Sequence, residues 1–172
     1  LQVEDALVYQ AFANNIATDA YKELLKTESN SYGFPVNDQV ALGLDIFNEE
    51  KPNFYFYKNY PKQYFKFSEN IKENKHKYCL KTDFTAFYDL ISHEFLIQYL
   101  NDKFISSNEI LDLFKSCLKE WGGKKNEYNT FTGIPQTEVA SPFFANLVLH
   151  ELDLVMIDKG NPYYRYMDDI WV

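Results

Sequence analysis

Apolar side chains at Leu7, Val8, Ala11, Phe12, Ile16, Ala20, Leu24 and Leu25 recur close to every 3.6 residues, which predicts a helix over residues 5–26. Ser31, Tyr32, Gly33, Phe34 and Pro35 break that period. Asn37 is placed to cap a short helix running to Phe47. From 52 to 67 the chain is rich in rings and lysines without a clear period, and strand and loop both fit. Residues 78–83 read as a short strand entering a turn. Ser92 predicts the cap of a helix to Lys103, and Ser106 with Glu109 predicts a capping box before a helix over 109–120. Gly122 and Gly123 open a polar loop. Ser141 and Pro142 suit the first turn of a long helix to Asp158, where a proline forfeits no intrahelical bond. Gly160, Asn161 and Pro162 close it. Two strand-like segments, 163–166 and 170–172, then flank Met167, Asp168 and Asp169, the pattern of a hairpin with acids at its tip.

A chain of 172 residues that is 46% hydrophobic can bury one ordinary core, which excludes a disordered chain. The net charge of −8 argues against binding nucleic acid over the whole surface. The charge is uneven, however. Residues 51–81 hold eight lysines against Glu69 and Glu73, a balance of +6, and leave the remainder acidic. Arg165 is the only arginine, a bias that reads as codon usage rather than chemistry. Cys79 and Cys117 have no metal-binding spacing and read as two thiols in a reducing, cytoplasmic setting. No uninterrupted apolar run approaches the roughly 18 residues that span a membrane, so no membrane partner is expected. The chain begins at Leu1 rather than Met, which reads as an excerpt of a longer protein.

The acids carry the candidate chemistry. Asp168 and Asp169 stand side by side between two strand-like segments, and Asp83 ends another. A solvated turn explains an isolated Asp-Asp, since turns favour Asp. If the Asp83 strand lay beside the hairpin, three carboxylates would converge and suit a hard divalent cation. Two such cations can clamp the attacking and leaving oxygens of a phosphoryl displacement. Periodicity shows that such a site is available, not that the strands are adjacent.

Tyr166-Met167-Asp168-Asp169 resembles the YxDD box of reverse transcriptases. Asp83-Phe84-Thr85-Ala86-Phe87-Tyr88 resembles their first catalytic-aspartate motif, and Gly133-Ile134-Pro135-Gln136 followed by Ser141-Pro142 resembles the motif between the two. Upstream, Glu4-Asp5, Val8-Tyr9-Gln10-Ala11 and Ser31-Tyr32-Gly33-Phe34 are similar to the fingers segment of group II intron and related bacterial enzymes. The resemblance implies an α+β fold: a palm whose antiparallel sheet is backed by helices, with part of the fingers. It places fingers and connecting residues at about 1–76 and the palm at about 77–172, with the thumb and first fingers strands absent.

The resemblance also implies roles. Asp83, Asp168 and Asp169 would be the catalytic and metal-binding acids, with the Phe84 carbonyl a further ligand to one of two Mg²⁺ ions, for which Mn²⁺ could substitute. Tyr88 would lie under the sugar, Pro135 and Gln136 would touch the incoming nucleotide or the template, and Arg165 and Tyr166 would brace the hairpin rather than do chemistry. Partners would be deoxynucleoside triphosphates, an RNA template or associated RNA, and a DNA product; homo-oligomerisation stays open. Thr137 departs from the family, which usually has glycine there, and a β-branched residue at positive φ would be strained. That departure favours a phage-defence, abortive-infection-type enzyme over group II intron or retron types. A non-catalytic RNA-binding or assembly subunit built on the same palm is the alternative class.

The stretch 51–81 adds nine aromatic rings to its lysines, and Lys58, Lys62 and Lys66 beside rings suit single-stranded nucleic acid. An inserted surface element with inward rings and solvated lysines fits as well. His76, His93 and His150 show no ligand spacing.

Overall fold

A computed structural model of the chain describes residues 1–41, 56–125, 130–137 and 139–172. In chain order it forms α1 (Val3–Leu24), a 3₁₀ turn (Leu25–Thr27), α2 (Asp38–Ala41), α3 (Tyr60–Glu73), β1 (Lys81–Thr82), α4 (Phe87–Leu90) and α5 (His93–Lys103). Then follow α6 (Asn108–Trp121), β2 (Lys124–Lys125), β3 (Phe131–Thr132), α7 (Ala140–Asp158), β4 (Tyr164–Tyr166) and β5 (Asp169–Trp171). Helices beside small antiparallel sheets give the α+β class expected from the sequence.

The helix ends follow the local chemistry. Ser92 Oγ accepts from Phe95 N and starts α5. The cap of α6 is Ser107, one residue later than expected: its Oγ accepts from Ile110 N and donates to Glu109. Residues 60–67, left between strand and loop, open α3 instead. Asn59 accepts from Lys62 N there, and Pro61 sits in the first turn. The helix expected to run from Asn37 to Phe47 is described only through Ala41, and residues 52–55 also lie outside the described residues. The strand expected over 78–83 narrows to Lys81–Thr82, extended by paired backbone bonds between Leu80 and Val172.

Two compact units divide the chain: Leu1–Ile16 with Thr85–Val148, and Ala17–Phe84 with Leu149–Val172. Each is discontinuous, and the boundary anticipated near residue 76 lies inside the second. α1 and α7 contribute to both.

The first unit is held by rings. Leu111, Phe114 and Leu118 recur on one face of α6 and are buried with Leu96 and Leu100 of α5. Tyr9 stacks on Phe144 at 5.2 Å, Phe114 lies 5.0 Å from Phe144, and Phe12 lies 4.5 Å from Phe114. Such pairs each add about 1 kcal/mol beyond the area they bury.

In the second unit β5 is central, with β1 on one side and β4 on the other, all antiparallel. The β4 edge is covered by a strap at Asn30–Tyr32, whose backbone exchanges bonds with Arg165. Phe67 of α3 packs on Tyr166 of β4, and Tyr32 packs on Phe67. By length and composition alone α7 could cross a membrane, contrary to the expectation that no segment would. Most of it is buried within the protein, with His150 and Asp153 fully enclosed, so it is a core helix.

Candidate active site

Antiparallel pairing brings the acids together. Lys81 lies opposite Trp171 and Thr82 opposite Ile170, so β1 delivers Asp83 to the end of β5 where Asp169 begins. Tyr166 pairs with Asp169, leaving Met167 and Asp168 as a two-residue turn. Met167 takes φ +54°, a left-handed value common at the first position of tight hairpins and costly for a side chain other than glycine.

Asp83 comes within hydrogen-bonding reach of Asp168. Burial, then the like charges of Asp83 and Asp169, push the Asp168 carboxyl above the usual carboxylate range. Asp169 has a partner of its own. Its carboxylate meets Lys81 Nζ at 3.0 Å, and the same ammonium lies over the Trp171 ring. Both partners are half exposed, so their pairing contributes little to stability. Asp83 and Asp169 thus both act on Asp168, and a lysine pairs with Asp169. Among the described residues no three His, Cys, Asp or Glu side chains gather closely enough to hold a metal ion. Two neighbouring carboxylates, one with a raised pKa, still suit a cation in donor chemistry, because an added positive charge relieves their repulsion. Phe84, the other expected ligand, is partly exposed beside them in sequence.

Beneath the turn lies a buried charged network. Arg165 is fully buried, its Nε and Nη2 donating to the two oxygens of Asp153 at 2.7 and 2.6 Å. Nη2 also donates to Ser31 Oγ at 2.7 Å and Nη1 to the Met167 carbonyl at 3.0 Å. Tyr163 donates to Asp153 at 2.6 Å. Gly33 is needed here: a Cβ on it would stand 2.5 Å from Met167 N. Sequence reasoning treated Arg165 as a codon effect and a brace for the hairpin and did not identify Asp153. A lone arginine among seventeen basic residues was the available signal.

Tyr88, Pro135 and Gln136 belong to the other unit, where the chain brings them together through the backbone. Ile134 N donates to the Tyr88 carbonyl at 3.0 Å and Gly133 N to the Ile91 carbonyl at 2.9 Å. Gly133 sits at φ +100°, and the buried His93 Nε2–H donates to its carbonyl at 2.6 Å. Pro135 is buried, Gln136 is exposed and Tyr88 is half-buried. Thr137 is not among the positive-φ residues, so the loop there holds a conformation open to a β-branched residue. Its backbone N–H donates to Ser141 Oγ at 2.9 Å and its hydroxyl accepts from Ser141 N at 3.3 Å, which caps the start of α7. Glu138, in the same loop, lies outside the described residues.

Of the lysines singled out for nucleic acid, Lys58 is committed elsewhere. It bridges Glu28 and Asp38, the latter at 2.9 Å, and only a fifth of its side chain is exposed. Lys62 and Lys66 are exposed on α3.

Comparison with known proteins agrees with this picture. The family model described as reverse transcriptase (RNA-dependent DNA polymerase) matches residues 11–172. A Saccharomyces cerevisiae protein named for intron 2 of COX1/OXI3 is 36% identical over 92 residues, 51% of this chain and 11% of that protein. A 91 kDa protein in the cob intron of Schizosaccharomyces pombe is 33% identical over 75 residues, 43% of this chain and 9% of its own length. The chain therefore spans about a tenth of the curated relatives it matches.

Proposed function

This chain belongs to the reverse transcriptase (RNA-dependent DNA polymerase) family, and we propose that it carries the acid pair with which a longer protein adds deoxynucleotides to a primer on an RNA template. The observation that supports this most is the approach of Asp83 and Asp168, from segments far apart in sequence, at the ends of adjacent strands. Asp83 and Asp168 would hold a divalent cation, with Asp169 and the Phe84 carbonyl as further proposed ligands. When bound, a pair of Mg²⁺ or Mn²⁺ ions would supply charge neutralisation at the phosphoryl oxygens and a more acidic primer hydroxyl.

The protein's own groups do the placing. Burial and the like charges of Asp83 and Asp169 push the Asp168 carboxyl above the usual carboxylate range, and a bound cation would relieve that repulsion. Arg165 fixes the turn that presents Asp168. In the other unit, the backbone bond between Tyr88 and Ile134 ties the proposed sugar-facing ring to the loop carrying Pro135 and Gln136.

Both relatives are named for introns, and we take an intron-encoded enzyme as the setting. The phage-defence setting drew on the irregular motif around Thr137, and neither relative is named for defence. The test is incorporation of labelled deoxynucleotide by the full-length protein on primed RNA. Asp83→Asn or Asp168→Asn is expected to abolish it while leaving the protein folded. Near-parental incorporation by either variant would refute the assignment.

A further inference from the structure

We propose that Arg165 is the positioning residue of the acid pair: it locks the peptide between Met167 and Asp168 and so sets where the Asp168 carboxylate stands. The proposal rests on the polymerase reading above. Sixteen of the seventeen basic residues are lysine, and the single arginine occupies a place where a planar fork has this work. Codon usage does not account for that placement. A guanidinium can meet a carboxylate with two parallel N–H groups and still reach further acceptors, whereas an ammonium is a point charge on a flexible stem.

Each bond from Arg165 ties a different segment to the same point. Its Nε and Nη2 hold Asp153, at zero exposure on α7. Its Nη2 holds Ser31 on the strap that covers the edge of β4. Its Nη1 donates to the Met167 carbonyl, an atom of the peptide that carries Asp168. Gly33 closes on Met167 N with no room for a Cβ. The turn is thereby gripped at both backbone groups of Met167, the residue held at φ +54°. A strained residue persists where its surroundings over-determine it, and here those surroundings end on the metal-site acid.

The strap thus acquires a function. Ser31-Tyr32-Gly33-Phe34 supplies one acceptor and one close approach to the turn, although it bears no acid itself. Groups standing behind metal ligands typically change cation affinity or activity by about 10–100-fold when removed.

The experiment uses full-length protein and three variants. Arg165→Lys keeps the charge and loses the fork. Ser31→Ala removes one acceptor and leaves the Arg165–Asp153 pair intact. Gly33→Ala presses on Met167 N. Mn²⁺ binding is measured by calorimetry, alongside kcat, nucleotide KM and thermal midpoint. Expected is Mn²⁺ affinity about 10-fold weaker in Ser31→Ala and Gly33→Ala, with kcat falling more than KM rises and the protein folded. If Arg165→Lys does not fold, these two variants still decide the question. A lowered midpoint with parental Mn²⁺ affinity and kcat would make the network a fold brace only and overturn the inference. A parent that binds no Mn²⁺ and incorporates no nucleotide would overturn the polymerase reading and this inference with it.

Discussion

The two units are built on different forces. The core of the first is largely aromatic, with Tyr9, Phe114, Phe143 and Phe144 at zero exposure. The hairpin of the second rests on a buried arginine and aspartate that spend their bonds on named atoms of the turn and strap. Ring packing tolerates adjustment, because dispersion and burial are nearly non-directional. Charge-assisted bonds hold angle and distance. A fold can be made from the first kind of contact; placing one carboxylate against another calls for the second.

The largest effect that would break this contrast comes from the buried pair. Asp153→Ala leaves the Arg165 guanidinium uncompensated at zero exposure. It is expected to destabilise by about 4 kcal/mol, and activity per folded molecule should fall with it. Denaturant titration read beside single-turnover rates checks both. Phe144→Ala should be nearly as destabilising, at about 3 kcal/mol, yet activity per folded molecule should stay close to parental. If the two variants lose activity alike, the division of labour between rings and charges is wrong.

A smaller effect concerns pH. Burial lowers the pKa of His93 below its ordinary 6.5, and Lys119 and Lys115 push in the same direction. A histidine whose folded pKa is depressed contributes stability above its unfolded pKa and loses it as pH falls through the folded value. Unfolding midpoints should therefore drop as pH falls below about 6.5. Carboxylates and His150, whose burial also lowers its pKa, add their own slopes. His93→Gln should flatten the His93 share, and an identical slope in that variant would show that His93 does not titrate in the transition. The smallest effect is expected at Lys81→Ala. Its ion pair with Asp169 is half exposed, so the thermal midpoint should not move. A clear fall would mean that Asp169 is held more firmly than its exposure implies.

Much of the scaffold was legible in the sequence because it depends on neighbours. The period of α1, the Ser92 cap and the Pro142 entry to α7 are local signals, and the structure follows them. α3 was obscured because rings stand on both its exposed and its buried faces, although Asn59 and Pro61 marked its start. Two adjacent serines made the α6 cap ambiguous, and Ser107 takes it. The acid pair could be named by resemblance only, since pairing of β1 with β5 is non-local and leaves no periodicity. The Arg165 network combines residues from three distant stretches, so no window of sequence contains it. Thr137 keeps out of the positive-φ region, as the branch at its Cβ requires, so that much of the loop follows from local chemistry.

The sharpest measurement is a double-mutant cycle on Mn²⁺ binding by the full-length protein, using Asp83→Asn, Asp168→Asn and the double variant. If the two carboxylates serve one site, each single change should remove most of the affinity and the second should add little, a strongly non-additive result. Additive losses, or binding that survives either change, would mean that Asp83 and Asp168 do not act as a pair.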